Sequence, residues 1–220
     1  MEKNREIDFY ALAKSKIAKL KSTKGFEIYN YKIRKGITES KIEKMEKLMK
    51  MEIPKEMKKI YRSMNGCELS WAYEDDENNL YGFWDIWPLE KIFFGWDGKL
   101  TLANFKNPFE DILWNDHYEE KEIKELKRHK VIEPVEGESS HITCKLKDNK
   151  IELFFVEEDS IKPLPIKLNT YFQLIIESLG VDEIRTQIRK KKFMKKPSSY
   201  KELKMLSKLI DVDISFLLHL

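Results

Sequence analysis

Four consecutive carboxylates, Glu74-Asp75-Asp76-Glu77, form the densest chemical grouping in the chain. The run lacks the spaced ligands and the glycine of an EF-hand loop, which argues against calcium. Two readings stay open: a solvated connection between strands, and an acidic docking surface. Asp85, Asp97 and Glu157-Glu158-Asp159 would extend such a surface. An array of this kind steers a basic partner and raises its association rate.

Other reactive side chains are few. His117, His129, His141 and His219 make no HExxH, and none pairs with cysteines at zinc-finger spacing. His141 and Cys144 stand three apart, but a closed zinc site needs four ligands and no source for the other two is evident. The plainer reading is a surface histidine and a half-buried cysteine on a strand. Cys67 with a distant histidine would make a thiol nucleophile. A cysteine between a helix stop and a strand more often packs as an apolar residue. GxSxG, GxxxxGKS/T and GxGxxG are absent, and the glycines are scattered. Neither a metal nor a cofactor is expected.

Trp71, Trp84, Trp87 and Trp96 fall close together, and Trp114 follows. Trp71 reads as core. Trp96, within Gly-Trp-Asp-Gly, sits on an expected loop, where it serves either local packing or as an interface anchor.

Charge is unevenly spread. Residues 1–50 carry a net +7, residues 51–160 a net −10, and residues 161–220 a net +6. The basic run Arg189-Lys190-Lys191-Lys192 with Lys195-Lys196 has only Phe193 beside it, so it reads as a solvated helix end more than a nucleic-acid contact. A further reading lays the basic ends against the acidic middle. Aromatic residues make up 12% of the chain, enough for a core despite 36% charged residues. The apolar runs are too short to span a bilayer and the N-terminus has no signal-peptide stretch. Two isolated cysteines fit reduced thiols. A cytoplasmic location is expected.

The elements that position these groups follow from periodicity. Residues 5–21 predict an amphipathic helix with Phe9, Leu12, Ala13, Ile17 and Leu20 on one stripe. Residues 26–33 alternate as a strand. Thr38 reads as an N-cap, with Ile37 and Ile42 placed as a hydrophobic staple, and the helix runs to about Met49. Pro54 starts a short helix carrying Met57, Ile60, Tyr61 and Met64, and Asn65-Gly66 reads as its stop. Strand chemistry runs from Glu68 to about Phe94, interrupted by the acidic loop. Residues 95–115 look irregular, and 116–129 look helical. Strands are expected at 131–135, 142–146 and 151–156, the last two as a hairpin. Asn169 reads as the cap of a helix closed by Gly180, the best candidate boundary. A basic helix at 182–193 and a final helix with a Ser199–Glu202 capping box complete the chain.

The order of these signals resembles the SUKH superfamily, named for its yeast cell-wall-synthesis regulator and bacterial immunity proteins. The residues that carry the resemblance are Ile53-Pro54, Ile60-Tyr61, Asn65-Gly66, Trp71, Gly82, Ile86, Pro88-Leu89-Glu90, Phe154 and the helix from Tyr171 to Gly180. It covers roughly residues 38–180, leaving 1–37 as an N-terminal helix and strand extension and 181–220 as a helical appendage. The segment from Thr101 to Val135 is longer and more helical than the family pattern. The resemblance implies an α+β fold, an antiparallel sheet packed by helices. It also implies a non-enzymatic bacterial role: binding and neutralising a cognate toxin, often a nuclease. A nuclease must carry positive charge to hold phosphates, so a carboxylate surface of Glu74, Asp75, Asp76, Glu77, Asp85 and Asp97 would mimic its substrate, with Trp96 as a candidate anchor beside it. The partner expected is a basic toxin domain, not a membrane, nucleic acid or small molecule. Two alternatives are a regulatory scaffold of the same fold without a toxin, and a hydrolase or nuclease using His117 or His141.

Overall fold

The N-terminal helix α1 (Phe9–Ser22) begins where the Asp8 carboxylate accepts from the Ala11 N–H at 3.0 Å. Such a cap satisfies one of the helix's orphan donors. Phe9, Ala13, Ile17 and Leu20 face inward, and Phe9 meets Phe172 edge-on, with centroids 5.8 Å apart. The structure, a computed structural model, describes residues 7–75, 79–107, 119–135, 140–147, 149–157, 160–189 and 200–210.

Strand β1 (Phe26–Lys35) leads to α2 (Glu39–Met49), α3 (Lys55–Ser63) and β2 (Met64–Glu74). Ile37 and Ile42 are both buried, as a staple requires. Thr38 holds the N-cap position of α2, yet its hydroxyl meets Ser40 Oγ and not the helix backbone. Helix α3 passes straight into β2: Met64 is already extended. Asn65-Gly66 therefore does not stop a helix. Gly66 lies within β2 at φ +85°, and a Cβ there would meet the Ile86 carbonyl at 2.6 Å. Glycine is needed because the exit of the next strand crosses it closely. Asn65 accepts from the Leu89 N–H at 2.9 Å and donates to Glu90 at 2.8 Å.

Strand β3 (Asn79–Ile86) pairs with β2 as a hairpin, Glu74 opposite Asn79 and Glu68 opposite Asp85. The strand expected up to Phe94 stops short: Leu89–Phe94 is helix α4, buried on nearly every side, so its apolar run carries no period. Helix α5 (Leu102–Lys106) occupies part of the stretch read as irregular, and α6 (Glu120–Leu126) forms the helix expected from residue 116. Strands β4 (Lys130–Pro134), β5 (His141–Lys147) and β6 (Lys150–Glu157) match expectation. A further strand, β7 (Ser160–Leu164), was not expected because Lys162-Pro163 breaks the apolar alternation. Proline is tolerated there because β7 is an edge strand.

The fold is α+β, but its strands form two antiparallel sheets, ordered β1-β2-β3 and β4-β5-β6-β7. The Trp87 N–H joins them by donating to the Ile132 carbonyl at 2.9 Å. Helix α7 (Leu168–Glu177) has Lys167, not Asn169, at its N-cap; Asn169 accepts locally from Thr170. The turn after it presses on β3: Phe83 N–H donates to the Gly180 carbonyl at 3.1 Å, and Val181 bridges to Gly82. Helices α8 (Asp182–Arg189) and α9 (Lys201–Ile210) follow. The Glu183 carboxylate accepts from the first N–H groups of α9, at Lys201 (2.9 Å) and Glu202 (3.1 Å). Ser199 of the expected capping box lies outside the described residues. Ile184, Ile188, Leu203 and Leu206 join the same apolar cluster as Leu20, Trp71 and Phe172.

Candidate functional site: the outer face of the three-stranded sheet

Alternation in β2 buries Cys67, Leu69 and Trp71 and turns Glu68, Ser70, Ala72 and Glu74 to the opposite face. Register places Asp85, Phe83, Tyr81 and Asn79 of β3 beside them, and Lys32, Asn30 and Glu27 of β1 on the other side. One face therefore collects Glu27 and Glu74 near Tyr81, which is 59% exposed, and Glu68 and Asp85 farther along the same strands. Tyr29, 61% exposed, sits where β1 shifts register. Its slight burial, and then the charges of Glu27 and Glu74, raise its phenol pKa.

The face has two ends, separated by six residues of β3, roughly 20 Å. At the tip, Glu74 and Asp75 are exposed, and Asp75 accepts from Tyr73 Oη at 3.0 Å. Asp76, Glu77, Glu158 and Asp159 lie outside the described residues. At the base, a hollow of about 250 Å³ opens between Glu68, Ser70, Phe83 and Asp85, walled by Pro134-Val135. Burial opposes ionisation of Glu68, but its hydrogen bond and ion pair with Arg34 prevail and lower its pKa. Burial raises the Asp85 pKa, resisted by the Trp87 indole N–H, which donates to Oδ2 at 3.2 Å, and by Lys91.

Trp96 is 56% exposed and rests on Trp87, with centroids 5.1 Å apart. Asp97 turns back into its own loop, accepting from Lys99 N (2.9 Å) and Asn104 Nδ2 (2.7 Å). The structure thus gathers Asp85 and Trp96 at one end and Glu74 and Asp75 at the other. Glu27, Tyr29, Glu68 and Tyr81 were not singled out from sequence. The alternation of β2 was their available signal, but only strand pairing shows which residues share its outer face.

Beneath the base lies a buried charge pair. Glu133 accepts from Arg185 Nη2 at 2.6 Å, from Tyr171 Oη, and from the Asp85 N–H at 3.3 Å. Arg185 also donates to the carbonyls of Phe83 (2.9 Å) and Gly180 (3.0 Å). Arg34–Glu68, Lys41–Glu90 and Arg185–Glu133 show basic ends of the chain pairing with its acidic middle.

Among the described residues, the cysteines and histidines are enclosed. Cys67 and Cys144 are free and fully buried, and burial drives both thiols up, Cys144 to about 12. His141 is buried, not at the surface, because β5 is covered where it was expected to be open. Trp114, His117, His219 and residues 190–196 of the basic run lie outside the described residues. Among the described residues, no three acidic, histidine or cysteine groups are placed to hold a metal, and no helix is long and apolar enough to cross a membrane.

His129 supplies a pH test. Its Nδ1 meets Thr143 Oγ1 at 2.7 Å. Burial, aided by Lys145 and opposed by Glu125, pushes its pKa down to about 4. Between pH 6.5 and 4 the unfolded chain binds a proton at this site that the folded chain refuses, so stability falls as pH falls, then levels off. The loss from this residue is at most about 3 kcal/mol. Urea denaturation at pH 7, 5.5 and 4 should show a shallower decline for His129→Gln. Parallel curves for the two proteins would contradict the assignment.

No curated protein matches the chain. Residues 36–165, more than half of its length and spanning α2 to β7, match the model of one family. The chain belongs to the SMI1 / KNR4 family (SUKH-1).

Proposed function

We propose that this protein is a non-enzymatic, immunity-type binder that neutralises a cationic toxin domain, such as a nuclease, by covering its active groove. The observation that carries the reading is the outer sheet face, where Glu27, Glu74, Glu68 and Asp85 stand with exposed Tyr29 and Tyr81. A groove that holds phosphates must be positive, and carboxylates in register oppose it while tyrosines supply rigid contact area at low entropic cost. Glu68 is already paired with Arg34. Steering therefore falls mainly to Glu27, Glu74 and the acidic loop, and the base of the face supplies shape. Membership of a family that includes immunity proteins agrees with this role, and thiols that no substrate reaches agree with binding over catalysis.

The test is co-expression with cationic toxin domains, scored by survival, followed by calorimetry on a protecting pair. Alanine at Glu74, Asp75, Asp76 and Glu77 together is expected to weaken binding roughly tenfold at low salt and to flatten its salt dependence. Tyr81→Ala should leave association unchanged but speed dissociation. Unchanged affinity in both variants would remove this face as the interface. Protection against none of the toxins would favour a regulatory partner.

A further inference from the structure

We infer that Asp85, Trp87 and Trp96 form a cation-recognition corner, filled in the free protein by its own Lys91 and taken over on binding by a lysine or arginine of the partner. The inference deepens the function proposed above and rests on the outer sheet face being the partner-binding surface.

Lys91 Nζ stands 4.0 Å from the centroid of Trp87 and 4.5 Å from that of Trp96. The two rings meet at 56°, an open V around the ammonium. Each wall is held by something other than Lys91. Trp87 is buried and gives its indole N–H to Asp85. The turn that carries Trp96 is tied down through Asp97 to Lys99 and Asn104. Lys91 itself is one half-buried side chain on a flexible stem, and the corner would keep its shape without it.

Two indole faces and a carboxylate suit a positive group, since the ring quadrupole and the acid both attract it. Burial lowers the Lys91 pKa, with Asp85 and Glu68 resisting, so the resident cation is held at a desolvation cost. An incoming guanidinium has less hydration to lose, stacks flat on an indole and forks toward a carboxylate. Trp96 is more than half exposed, and Asp85, which holds the Trp87 indole, also lines the hollow at the base of the sheet. Lys91 thus acts as a built-in competitor, occupying the corner until a better-matched cation arrives.

Titration of the full chain with a hexa-arginine peptide, read by calorimetry, tests this. Lys91→Met is expected to tighten binding about fivefold by removing the competing charge and leaving only a displaceable apolar chain in the corner, and Trp96→Ala to loosen it by about the same factor. Lys91→Arg, which keeps the corner occupied, should not tighten binding. In the double variant Lys91→Met with Trp96→Ala the gain should vanish. Thermal melting confirms that each variant is folded. Unchanged or weaker binding by Lys91→Met overturns the corner. If Glu27→Gln with Glu74→Gln abolishes peptide binding while the Lys91 and Trp96 variants leave it unaltered, the corner falls and the acidic face stands. The reverse pattern upholds the corner and confines the partner surface to the base of the face, without Glu27 and Glu74.

Discussion

Arg185→Met is expected to destabilise the protein by about 3–5 kcal/mol, because it strands a buried carboxylate. Glu133 is fully buried and Arg185 only 3% exposed. Their 2.6 Å contact comes with hydrogen bonds from Arg185 to the backbone of Phe83 and Gly180. Methionine fills much of the volume but leaves Glu133 with Tyr171 and one backbone N–H as donors. The penalty comes from the uncompensated charge, so Glu133→Leu added to Arg185→Met should recover much of it. Urea denaturation of wild type, single and double variants measures both effects. A single-variant loss below about 1 kcal/mol would show that the pair does not hold α8 against β3 and β4. The same change should also disturb the base of the outer face, because the Asp85 N–H rests on Glu133.

Gly180→Ala is expected to be comparably damaging, by about 4 kcal/mol. Gly180 adopts φ +73°, a region that costs other residues roughly 1–2 kcal/mol. Most of the damage is steric: an added Cβ would lie 1.9 Å from the Phe83 carbonyl oxygen and 2.5 Å from its carbon. Both are backbone atoms, so the methyl can be accommodated only by parting the turn from β3. That would break the Phe83-to-Gly180 hydrogen bond and the Gly82–Val181 bridge. Gly98→Ala is the control. It has φ +61° but its nearest neighbour would be at 3.4 Å, so it should lose only the conformational part. Equal losses at the two positions would refute the steric account.

Local signals were legible where one residue's preference decides the backbone. The stripe Phe9, Leu12, Ala13, Ile17, Leu20 predicted α1, with Leu12 alone only half-buried, and Ile37 with Ile42 predicted the start of α2. Pro54 marked the start of α3. Elsewhere long-range contacts override such preferences. Asn65-Gly66 looks like a helix stop, yet the crossing of Ile86–Pro88 makes it part of a strand. Leu89–Phe94 looked like strand because a helix buried on nearly every side loses its periodicity. Lys162-Pro163 hid β7, whose pairing with β6 compensates for a poor local pattern.

For the candidate site, the sequence by itself determined that the middle of the chain is acidic, that four carboxylates stand in succession, and that tryptophans follow soon after. Those are properties of composition and of order along the chain. Only the tertiary structure decided which carboxylates share a face. Pairing of β2 with both β1 and β3 brings Glu27, Glu68, Glu74 and Asp85 together, and the packing of α4 sets Lys91 between Trp87 and Trp96. The physical reason is that charge is carried by each residue alone, whereas a recognition surface depends on the register and packing of segments far apart in the chain.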